Sequence, residues 1–223
     1  MRDHIFKQFD KELKALKDKL LLMAAKVEER LSDAIRALVQ RDQELAKRTT
    51  ESDRDINRLE MEVDELAVKM IALRQPAARD LRFITTALKI VTDLERCGDL
   101  AVNIAERAVA LNEDEQLKPY IDLPKMAGEA QQLLKDALDA FVNGDADKAT
   151  SVLERDQMVD DLFVQIFREL ITYMMQDPRT ITRAIGLIFV AKHLERVADH
   201  ATNIAEQAIF LAKGKDVRHV HTT

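Results

Sequence analysis

The side chains best equipped for chemistry in this chain are carboxylates, and they recur. At 100° per residue, Glu95, Asp99 and Glu106 fall within about 40° of one another on one helix face, with Asn103 about 40° beyond Asp99. Glu195, Asp199, Asn203 and Glu206 repeat the arrangement in the second half of the chain. A second oxygen-rich row comes from Asp53 and Asn57, and again from Asp156 and Asp160, each pair at i and i+4. If the helices carrying the two rows pack face to face, the rows converge. Two rows of carboxylates then require a compensating cation. All-oxygen ligands favour hard ions such as Mg²⁺, Mn²⁺ or Ca²⁺, and carboxylate-bridged iron or zinc is also open.

A plainer reading stands beside this one. Carboxylates at i and i+4 are common on solvated helix faces, and Arg96 and Arg196 are spaced to pair with Asp99 and Asp199 at i+3. Recurrence favours the metal reading, because neighbouring positions drift while the acids stay: Cys97 becomes Val197 and Leu100 becomes His200. His193 and His200 flank the second acidic row, whereas His219 and His221 lie in a polar tail. Cys97, the only cysteine, reads as a small buried hydrophobe. There is no Walker A loop, nucleophile elbow, H-E-x-x-H, cysteine-pair zinc pattern or Glu-x-x-His. Catalysis is therefore the weaker reading.

The elements that must position these acids are helices. Gly 5 and Pro 4 make about 4% of 223 residues, against roughly 12% in average proteins. That scarcity of turn residues disfavours all-β and α/β folds and leaves an all-α chain. A net charge of −6, with no basic block, argues against nucleic-acid binding. The longest clean apolar run, Ala184 to Ala191, is far short of the roughly 20 residues of a membrane span. The sequence MRDHIFKQFDKEL lacks an apolar signal-peptide core, and a lone cysteine forms no internal disulfide, so a cytoplasmic protein is expected.

Six helical segments follow from periodicity. Phe9, Leu13, Leu16, Leu20, Met23, Val27 and Leu31 form one apolar stripe, and Ile56, Leu59, Val63, Leu66, Met70 and Leu73 a second. Gln75-Pro76 marks a break, and a third helix runs to about Leu111. The polar stretch 112–122 reads as a linker. A fourth helix begins near Pro124, and Asn143-Gly144-Asp145 supplies a C-terminal glycine followed by an N-cap. The fifth carries apolar pairs at Met158/Val159, Leu162/Phe163, Ile166/Phe167 and Leu170/Ile171, predicting a broad buried face. Asp177-Pro178 opens the sixth, which runs to about Lys213.

The two halves are copies. Residues 93–108, DLERCGDLAVNIAERA, match residues 193–208, HLERVADHATNIAEQA, at ten of sixteen positions, where average composition gives roughly one. Arg79 and Arg179 fall in the same register. This predicts a duplicated three-helix unit, with domains at 1–113 and 114–223. A seam of small residues, Gly98/Ala198, Ala101/Ala201, Ala105/Ala205 and Ala108/Ala208, suits close helix approach.

Arg74-Gln75-Pro76-Ala77-Ala78-Arg79-Asp80-Leu81-Arg82, with Leu94-Glu95-Arg96-x-x-Asp99 and its copy Leu194-Glu195-Arg196-x-x-Asp199-His200, resembles the PhoU family over essentially the whole chain. The resemblance implies two three-helix bundles side by side and a homodimer. It implies a negative regulator of the bacterial phosphate-starvation response that also restrains phosphate uptake. Its partners would be the ATPase subunit of the phosphate ABC transporter and a sensor histidine kinase, with membrane contact only through them. It implies metal, of the Mg, Mn, Zn or Fe type, at Glu95/Asp99 and Glu195/Asp199, with Asp156/Asp160 on the partnering helix. Asn57 stands where the second unit has Asp160, so the first site carries less charge. A metal-dependent enzyme and a metal-free scaffold are the competing readings.

Overall fold

The computed structural model describes residues 2–51 and 54–213, with side chains from residue 8 onward. Its α-helices are α1 (Arg2–Gln40), α2 (Gln43–Glu51), α3 (Arg54–Arg74), α4 (Ala78–Leu111), α5 (Asp122–Asn143), α6 (Ala146–Gln176) and α7 (Ile181–Lys213). No strand occurs among the described residues. In the first half, α2 and α3 together take the place that the single long α6 takes in the second. The 39 residues of α1 span about 58 Å at 1.5 Å per residue.

The helix ends follow local chemistry. Gly144 closes α5 with φ 68, the left-handed conformation that a side chain would strain. Asp145 then caps α6, its carboxylate accepting from the backbone N–H groups of Asp147 and Lys148. Asp42 does the same for Leu45 at the start of α2. Pro178 opens a short 3₁₀ turn, Pro178–Thr180, and α7 proper begins after it, because proline removes a donor where the turn must tighten.

α1 packs on α2, α3 and α4, and α5, α6 and α7 pack on one another, giving two three-helix bundles. The bundles lie side by side through α4 against α7 and α1 against α5. Leu16, Leu20, Met23, Val27 and Leu31 of the first stripe are completely buried, as are Ile56, Val63 and Met70 of the second. The small-residue seam is buried in both copies, and close approach is needed at Gly98 of the seam and at Gly186 beyond it. A Cβ on Gly98 would meet Ile56 Cδ1 at 3.0 Å, and one on Gly186 would meet Leu111 Cδ2 at 2.9 Å.

The broad buried face expected of α6 is halved. Val159, Leu162, Ile166 and Leu170 enter the core, while Met158 and Phe167 are exposed and Phe163 is half-buried. α6 is an outer helix that packs on α5, α7 and the short 3₁₀ turn before α7. One side of it is therefore all that the core can take. Cys97 is buried, and desolvation pushes its thiol far above the usual range, which leaves an inert core side chain.

Candidate metal centre

In the second bundle α6 and α7 bring four carboxylates to face one another: Asp156 and Asp160 from α6, Glu195 and Asp199 from α7. Each is one helical turn from its row-mate, so both carboxylates of a row point to the same side. The mutual effect of the rows is visible in their titration. Burial first, then the charges of Asp160, Asp199 and Glu195, push Asp156 up to about 6. Burial and the Glu195 charge raise Asp160 and Asp199 as well. Among the described residues the salt bridge to this cluster comes from Lys192, whose ammonium pairs with Glu195 Oε2 and also stands 5.5 Å from the Phe163 ring centroid. One ammonium against four carboxylates leaves the cluster short of positive charge.

The first bundle is built differently. Glu95 and Asp99 share a face of α4, with Arg96 3.5 Å from Glu95 Oε2 and 3.3 Å from Asp99 Oδ2. The ion pair read from the i+3 spacing thus forms here, although Arg96 is 57% exposed and the pair is correspondingly weak. Across from them, on α3, stands Glu60, which the sequence reading missed. Burial and the charges of Asp64 and Asp99 raise its pKa, and burial, Asp99 and Glu60 raise that of Glu95. Glu60 and Asp64 continue the Asn57 row by one and two further turns of α3. In α6 the corresponding continuation is Phe163 and Phe167, so the acids of the first bundle are shifted along the helix. The i,i+4 spacing of Glu60 and Asp64 was the available signal.

Asn57 is half-buried in α3. Asp53 lies outside the described residues, as do His219 and His221. Asn103 is half-buried on α4 with no hydrogen bond to the acidic row. Asn203 is turned away from its row: its amide donates to Asp93 Oδ1 at 3.4 Å, across the contact between the two bundles. His200 Nδ1 meets the same Asp93 oxygen at 2.9 Å. His193 stacks near Phe189, whose ring also carries Arg107 at 4.9 Å. Burial and the Arg107 charge lower the His193 pKa, so its imidazole favours the neutral form. Both histidines therefore pack in the α4–α7 seam, and the charge of His200 also tempers the rise at Asp199.

The donor set fits a hard cation. Carboxylates that raise one another's pKa gain most from a divalent ion between them. Among the described residues no three His, Cys, Asp or Glu side chains stand gathered at coordinating spacing. A cation would have to draw the two rows of the second bundle together.

The folded value of Asp156, about 6, lies above the unfolded 3.8. The folded chain then holds the extra proton between those values, and metal-free stability falls as pH rises through that window. Asp156→Asn is accordingly expected to stabilise metal-free protein at pH 7.5 by about 1 kcal/mol, after allowing for solvent screening, or roughly 2–4 °C in Tm. The gain should vanish near pH 4. With saturating Mg²⁺ or Mn²⁺ the sign should reverse, because a ligand is lost. Thermal melts at the two pH values, with and without metal, make the comparison.

A family model described as "PhoU domain" matches the chain twice, over residues 20–108 and 123–208. A phosphate-specific transport system accessory protein PhoU homolog from Pseudomonas aeruginosa is 44% identical over 221 residues, covering 99% of this chain and 91% of the relative. The crystal structure of PhoU from Pseudomonas aeruginosa aligns with a TM-score of 0.88 at 43% identity, covering 93% of this chain and all of that one. The phosphate transport system regulatory protein PhoU from Streptococcus pneumoniae aligns with a TM-score of 0.86 at 31% identity, covering 94% and 99%.

Proposed function

This chain belongs to the PhoU family, and from that premise we propose that it is a negative regulator of the phosphate-starvation response that also restrains phosphate uptake. In this reading it works as a metal-binding adaptor between the phosphate-specific ABC transporter and a sensor histidine kinase. It performs no catalysis and acts in the cytoplasm. Relatives described as accessory and regulatory proteins of phosphate transport support the role. No described helix is long and apolar enough to cross a membrane, so contact with the membrane is made through the partners.

The observation that carries the adaptor reading is the pair of acidic rows, one in each repeat, on rigid helices without a catalytic constellation. Glu195, Asp199, Asp156 and Asp160 would hold the metal in the second repeat, and Glu95 and Asp99 in the first. When bound there, an ion would offset the carboxylate charge that Glu195, Asp199, Asp156 and Asp160 bring together. To carry a signal, the protein must bind its partners with different affinity in different transporter states. Long helices offer the rigid, broad faces this needs, and a homodimer would present two sets of them.

Co-purification tests the proposal directly. Tagged protein should retain the transporter ATPase subunit and the kinase from cells grown in plentiful phosphate, and less of at least one after starvation. Recovery of neither partner at any phosphate level would sink the adaptor reading.

A further inference from the structure

Where α4 begins and α5 and α7 end, the two bundles enclose a cleft of about 680 Å³ that also takes in the early turns of α1. Its charged lining is Lys17, Arg79 and Arg82 against the single carboxylate of Asp80. That is a cationic surface on a chain whose formal net charge is −6. None of the three cations forms a salt bridge among the described residues. Lys17 Nζ stands 5.1 Å from the Phe83 ring centroid, and the Arg82 guanidinium 5.6 Å from that of Phe210. Such contacts hold a cation in place without cancelling its charge.

The internal repeat supplies the comparison. Arg179, the counterpart of Arg79, is answered by Asp177, whose carboxylate accepts from its guanidinium at 2.9 to 3.1 Å. At the opposite end of the molecule, where α4 ends and α7 begins, the linker crosses the corresponding space. There the carbonyls of Asn112 and Asp114 accept from Arg41, and that of Glu115 accepts from Arg183. The chain thus satisfies its own arginines at one end. At the cleft, among the described residues, it does not.

We propose that this cleft binds a small, multiply charged phosphate compound of the pyrophosphate or nucleoside-polyphosphate class. Its volume falls inside the range of about 300–1,000 Å³ typical of small-molecule sites and exceeds what one phosphate ion fills. Two guanidinium forks and an ammonium match the oxygens of linked phosphate groups, which accept from arginine in bidentate fashion. The first turn of α4, for which Ala77 provides no side-chain cap, adds a partial positive charge of the same sense. The site is separate from the acidic rows and does not depend on the regulatory reading.

Calorimetric titration of the full chain, stripped of divalent metal with EDTA, against pyrophosphate and against ATP tests the site. Metal removal excludes anions held through cations on the acidic rows. One saturable site per chain is expected, weakened at least tenfold by Arg79→Gln with Arg82→Gln and unchanged by Arg179→Gln. Arg79 is exposed and Arg82 half-buried, so helix content by circular dichroism should stay at the parent level. If it does not, Lys17→Gln replaces the double variant with the same expectation. Absence of saturable binding by both compounds, or binding that survives the substitutions, overturns the proposal. So does equally tight binding of a Glu-rich peptide, which would make the cleft a dock for an acidic segment.

Discussion

On the proposed metal-adaptor reading, Glu195→Ala combined with Asp199→Ala should abolish metal binding by the second repeat and leave the phosphate-starvation response switched on in plentiful phosphate. The pair removes one entire row of the four-carboxylate cluster. Loss of a supporting group around a metal commonly costs 10–100-fold in affinity, so loss of two ligands should cost on the order of a hundredfold or more. The fold should survive, because the row is polar and its carboxylates repel one another when no cation is present. In metal-free buffer the variant should melt at or above the parent temperature. Elemental analysis, circular dichroism and a starvation-responsive reporter give the three readouts.

Glu95→Ala with Asp99→Ala is expected to have the smaller effect. Arg96 already sits on that pair and offsets part of the negative charge that Glu60 adds across from it. Metal lost with the reporter still repressed would leave a scaffold whose acids serve only solvation or packing. Metal retained in both variants would remove the acidic rows from consideration as its site.

Phe141→Ala should produce the largest loss of stability of any single core change considered. Its ring is completely buried, stacks on Phe83 at 4.9 Å with an interplanar angle of 14°, and lies where α5 of one bundle meets α4 of the other. Truncating such a side chain costs about 3–5 kcal/mol from lost transfer energy and the cavity left behind. In a chain of this size that amounts to a fall in Tm of roughly 6–20 °C. Urea denaturation should show an earlier midpoint, and a double-mutant cycle with Phe83→Ala should show about 0.5–1.5 kcal/mol of coupling from the stacked rings. Because α4 still packs on α7 and α1 on α5, both repeats should still unfold in one transition. A cost below about 1 kcal/mol would mean that the surrounding side chains collapse into the space the ring leaves.

The sequence by itself determined what depends on neighbours a few residues away. Apolar positions three and four apart declared the helices, and their buried stripes are Leu16 to Leu31 and Ile56 to Met70. Gly144 and Asp145 announced the α5–α6 junction, since a left-handed residue followed by an N-cap is a local arrangement. The duplicated acids of α4 and α7 were legible for the same reason: residues at i and i+4 must share a face. What only the tertiary structure decided is the rotation of each helix about its axis and which partner it meets. That rotation buries Val159 and Leu162 of α6 but exposes Met158 and Phe167. It brings Glu60 of α3 opposite Glu95, and it turns Asn203 away from its row toward Asp93. A helix with two apolar positions per turn has more than one face it could bury. The choice is made by the combined packing of neighbouring helices, whose contacts join residues distant in the chain, as Asp93 and Asn203 are, and leave no mark on local spacing.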